Sequence, residues 1–160
     1  MQTLFAEYKT FIVFLHVISG VVWVGGMIAM RYAAHPSFME IESPAKRLER
    51  ISHALKRLFF IVLPFIVILI LTAIVMISAY GLSASEYALY AHLKEGIWSL
   101  MFVNLIVMMK RRSRADRMLE EGDFVGAKNQ LGMIGKFMVP INIGLGVIAI
   151  FIGSYFSSVF

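Results

Sequence analysis

"FIVFLHVISGVVWVGGMIAM", residues 11–30, runs for 20 positions without Asp, Glu, Lys or Arg. An α-helix needs about 20 apolar residues to cross the hydrocarbon core of a bilayer, so the stretch is predicted to span a membrane. Three further stretches of about that length are mostly apolar: 58–78, about 87–109 and about 137–155. They leave little chain for a soluble domain, and the predicted fold is an all-α, integral membrane four-helix bundle forming a single domain over 1–160. The composition agrees, with 59% hydrophobic residues against about 45–50% apolar content in soluble domains. Glu7 and Lys9 precede the first run and no small-residue cleavage site follows it, so it is expected to be a retained span rather than a signal peptide.

The basic residues orient this bundle. Lys46, Arg47, Arg50, Lys56 and Arg57 follow the first span; Lys110, Arg111, Arg112, Arg114, Arg117 and Lys128 follow the third. Both sets lie on one side, which the positive-inside rule makes cytoplasmic, with both termini outside. The net charge of +5 is thereby explained by topology, and no nucleic-acid partner is needed. Within the first connection, Ser43-Pro44 has the form of a helix N-cap followed by proline. Leu48, Ile51, Leu55 and Leu58 then recur at helical spacing, predicting a cytoplasmic amphipathic helix at about 44–57 that runs into the second span. Gly146, Ala149 and Gly153 share a face of the fourth span, a small-residue pattern that lets a neighbouring helix or a second copy of the chain approach closely. Asn142 is read chiefly as an interhelical hydrogen-bonding residue.

There are no cysteines, which excludes disulfides, thiolate metal sites and covalent haem attachment. Metal ligands must come from histidine, methionine or oxygen. The methionines, 11 in all, are scattered along apolar helices rather than clustered, which favours packing over copper binding. Histidine is more informative, because an ionisable side chain inside a span is costly and is by default a functional candidate. His16 and His92 lie a few residues inside the outer ends of the first and third spans, which run in the same direction. Two imidazoles at similar depth on neighbouring helices suit the axial ligation of a haem b. His35 and His53 fall near the cytoplasmic side and form a second candidate pair, for a second haem. Gly20 and Trp23, one and two turns beyond His16, offer room and an aromatic wall. Arg31 is a candidate partner for a haem propionate. Lys94 and Glu95 beside His92 are candidate catalytic groups, as a propionate partner and as a proton acceptor for a quinol.

The stretches "HVISGVVWVGGMIAMR" and "HLKEGIW", with the four-span hydropathy, resemble the superfamily of small membrane proteins that includes the CopD copper-resistance domain and the HemJ-type protoporphyrinogen oxidases. The resemblance covers most of the chain loosely. The span-one histidine of HemJ proteins corresponds to His16, and their His-x-Lys element to His92 and Lys94. It implies haem b binding and redox work in the bacterial inner membrane. The approach to the fourth span, "GMIGKFMVPINIG", differs from the Arg…Asn-Glu…Pro arrangement of HemJ proteins. The expected function is therefore that of a membrane b-type cytochrome working with a quinone/quinol or porphyrin-related molecule. HemJ-like oxidation of protoporphyrinogen IX, CopD-like copper transport and a cofactor-free membrane subunit are the alternatives.

Overall fold

A computed structural model describes the backbone of residues 2–81 and 88–159, with side chains of all but 2–4, 91 and 156–159. The described residues are helical apart from short turns. α1 (Gln2–Ala29) passes through a π-helical turn (Met30–Ala34) into α2 (His35–Met39). α3 (Pro44–Tyr80) and α4 (Ala88–Glu120) follow, and α5 (Phe124–Met133) passes through a second π-helical turn (Ile134–Met138) into α6 (Val139–Val159). The expected start of the third span at Tyr87, and the connection over 82–86, lie outside the described residues.

Both π turns have the same local origin. Pro36 and Pro140 each stand two residues beyond one of them, and proline has no N–H for the carbonyl four residues back and crowds it with its ring. Those carbonyls, of Tyr32 and Lys136, lie within the widened turns. The chain bonds around them through five-residue steps, His35 N to Met30 O and Val139 N to Ile134 O. The helix therefore continues past each proline instead of ending.

Ser43 caps α3 as its sequence suggests, its side chain accepting from Lys46 N at 3.5 Å with Pro44 at the first helical position. The amphipathic stretch and the second span form one continuous helix of 37 residues, about 55 Å long. Its buried residues, Leu48, Ile51, Ser52, Leu55, Phe59, Val62 and Ile66, follow one stripe from the basic segment into the apolar one. α3 ends at Gly81 and α4 at Gly122, both with positive φ (62° and 79°), where a side chain would be strained.

Among the described residues three continuous helical segments are long and apolar enough to cross a membrane: Phe5–Met39, Pro44–Tyr80 and Phe124–Tyr155. α4 is long enough, but Lys94 and Glu95 at one end and Lys110 at the other confine its uncharged stretch to 96–109. Around the bundle, Phe11, Phe14, Val17 and Val21 of α1, Phe60, Ile61, Val67 and Leu71 of α3, and Ile148 and Phe151 of α6 are exposed. A surface so rich in contiguous large apolar side chains is not that of a soluble monomer. Inside, Trp23, Met27, Val62, Ile66, Met101, Leu105 and Met108 form the core. Gly146 lets Val24 of α1 close against α6, occupying the position a Cβ would take.

Candidate functional site

On α1 the inward face is His16, Ser19, Trp23 and Met27, spaced at three and four residues. His16 is the outermost of these polar groups. Its Nδ1 lies 2.9 Å from Oγ1 of Thr72 on α3. That hydroxyl has one proton, and it is spent on the carbonyls of its own helix, at 2.7 Å from Ile68 O and 3.0 Å from Leu69 O. Thr72 must therefore accept from His16, so in the neutral ring the proton sits on Nδ1. The Nε2 lone pair is left free to bind a metal or accept a proton. A fixed tautomer of this kind is how proteins orient a ligating imidazole.

α4 supplies the second group. Lys94 stands seven residues before Met101 and 14 before Met108, both buried, and so lies on the same inward face. Its Nζ occupies space beside α6 that only a glycine leaves open, 2.9 Å from where a Cβ on Gly153 would be. Among the described residues no carboxylate pairs with it, because Glu95 is engaged by His92 at 3.0 Å. Rings close the bundle above this layer: Phe5 packs edge-on against Tyr80 at 5.2 Å between centroids, Lys9 lies over the Tyr80 ring, and Tyr90 leans on Tyr155 at 6.0 Å.

The remaining predicted residues are distributed differently. His92 is two residues from Lys94, about 200° around the helix, and its side chain is 61% exposed. The inward face of α4 at this end thus carries Lys94, not His92. The open side of Gly20 is met by Leu69 of α3 at ordinary contact distance. Trp23 is buried two turns deeper than His16, and its Nε1 has no acceptor among the described residues. Arg31 lies in the first π turn at the far end of α1, with Nε buried and unpartnered and its guanidinium 5.9 Å from the Tyr32 ring centre. His35 lies one turn beyond it, within reach of its charge. His53 is exposed in a shallow groove with Lys46, Glu49 and Arg50. Among the described residues no three His, Asp or Glu side chains gather as a metal site.

Two polar clusters were not anticipated in full. Asn142, fully buried, donates to Met101 O at 3.2 Å and accepts from Asn104 at 2.7 Å, while Asn104 also donates to Met138 O at 2.9 Å. At the basic end, Ser52 of α3 donates to Asp116 of α4. Arg112 donates to Asp116, to Ser52 Oγ (3.2 Å) and to Ser52 O (3.3 Å), and Arg111 donates to Gln130 at 2.9 Å. The available signal for Thr72 was its solitude: it is the only polar side chain between Leu58 and Ile77.

No family model, curated protein or solved structure matches this chain. Its function is therefore read from the site alone.

Proposed function

We propose that the chain is a multi-pass protein of the bacterial inner membrane, with all four long helices spanning, the basic end cytoplasmic and both termini outside. Its work is redox chemistry on a b-type haem held near the outer face, in exchange with a quinol or a porphyrin-related molecule. The observation that carries this reading is the His16–Thr72 bond, which leaves Nε2 as the one unengaged imidazole lone pair inside the bundle among the described residues. The donor chemistry fits haem: a neutral imidazole with its second nitrogen pinned on α1, and on α4 an ammonium that has no carboxylate partner among the described residues. His16 would ligate iron and Lys94 would hold an anionic oxygen, of a propionate or of a quinol. Bound there, haem supplies one-electron exchange between ferric and ferrous iron. Thr72 fixes the imidazole, Gly153 gives Lys94 its space, and the aromatic layer restricts water.

The test is optical. The purified chain is expected to show a Soret band and a b-type pyridine haemochrome that disappear in His16→Ala and persist in His92→Ala. A colourless protein that takes up no added haem, or an unchanged spectrum in His16→Ala, would overturn the proposal.

A further inference from the structure

The stretch "KRRSRADR", 110–117, contains five cations that the helix sorts into two kinds. Arg111 and Arg112 are half-buried and hydrogen-bonded, Arg111 to Gln130 and Arg112 to Ser52 and Asp116. Lys110, Arg114 and Arg117 recur at four and three residues on the opposite side, exposed. Among the described residues none of the three pairs with a carboxylate, although Glu120 and Glu121 follow within a turn. With Met109 and Ser113 they border an open, shallow groove along this one face of α4. Met109 is the last residue of the uncharged stretch of α4, so the groove opens where that stretch ends.

Positive-inside topology accounts for cations at this end of the bundle, but not for three of them, unpaired among the described residues, sharing one exposed strip of α4 with a hydroxyl. The chemistry that matches it is a phosphodiester carrying a negative charge, with acyl chains lying along Met109 and the apolar face above. We infer that this groove binds the headgroup of an anionic phospholipid. The inference rests on the membrane placement proposed above and is independent of the haem site. The groove at Lys46, Glu49, Arg50 and His53 supplies an internal control, because there a carboxylate sits among the cations. Each Lys or Arg near an anionic membrane surface contributes about fivefold in affinity.

The experiment is native mass spectrometry of the full chain released from membranes, after confirming that it stays in the membrane through alkaline washing. Exchange against phosphatidylglycerol and phosphatidylcholine is then measured for the wild type, for Lys110→Gln/Arg114→Gln/Arg117→Gln and for Lys46→Gln/Arg50→Gln. Retained phosphatidylglycerol should fall on the order of a hundredfold in the triple variant and little in the double variant. Arg114→Gln alone, expected to lose about fivefold, serves if the triple variant does not assemble. Equal retention in wild type and groove variants overturns the inference. So does a groove-dependent affinity for inorganic pyrophosphate without preference between the lipids, which would assign the groove to a soluble phosphate. A chain released by the alkaline wash would overturn the membrane reading itself.

Discussion

The polar layer at the outer end of the bundle and the one at its basic end are built from similar side chains and finished differently. At the basic end Ser52, Arg112 and Asp116 satisfy one another across α3 and α4, and Gln130 of α5 takes up Arg111. The Asn104–Asn142 pair in mid-bundle is likewise closed on itself and on two carbonyls. At the outer end, Thr72 satisfies one nitrogen of His16 and the other has no partner among the described residues, while half-buried Lys94 is paired by no described carboxylate. Buried polar groups that complete their bonds hold helices together, whereas groups buried with bonding capacity to spare have given up solvation without internal repayment. A ligand that completes them would account for their presence.

Substitutions that break a completed pair should therefore destabilise, whereas removal of Lys94, which no described carboxylate pairs, should not. The largest loss is expected from Asn142→Leu, which strands Asn104 and the Met101 carbonyl in the core; about 2–3 kcal/mol should be missing in equilibrium unfolding in mixed micelles. Adding Asn104→Leu should recover part of that loss, and strict additivity of the two would deny the pairing. Lys94→Met is the contrasting case. Removing a half-buried ammonium that no described carboxylate pairs should stabilise the ligand-free chain by about 1 kcal/mol while weakening cofactor retention roughly tenfold, with Lys94→Arg retaining most of it. A Lys94→Met chain that is both less stable and fully loaded would make Lys94 a structural residue. Thr72→Val should cost about 1 kcal/mol and alter the optical spectrum by releasing the imidazole, and Thr72→Ser should restore both. Gly153→Ala is expected to be the mildest, within about 0.5 kcal/mol, because the added methyl meets only the flexible end of Lys94; its effect should appear in cofactor retention first.

Much of this arrangement is legible in the amino-acid sequence. Uncharged runs locate the helices, and Ser43-Pro44 locates the start of α3, because those features depend on local chemistry alone. Depth in the bundle is also local, since it follows from counting residues inward from each end. Azimuth is not: His16 and His92 have similar depth, yet a two-residue offset from Lys94 turns His92 outward. The periodicity from Lys94 to Met101 and Met108 contains that information, whereas a histidine's chemistry carries no record of which face of α4 it takes. Thr72 could not be paired with His16 from spacing, because their alignment depends on how α1 packs on α3. The π turns, too, become intelligible only when each proline is seen with the widened helix behind it.

The most direct test of the central claim, that the outer layer is a site and the basic layer a clamp, crosses two variants with two readouts. Haem bound per chain and unfolding free energy would be measured for His16→Ala and Asp116→Ala beside the wild type. His16→Ala should lose the haem and leave the apoprotein's stability within about 1 kcal/mol, whereas Asp116→Ala should lose about 1–3 kcal/mol and keep the haem. Haem retained in His16→Ala, or lost equally in both variants at equal cost in stability, would contradict the account.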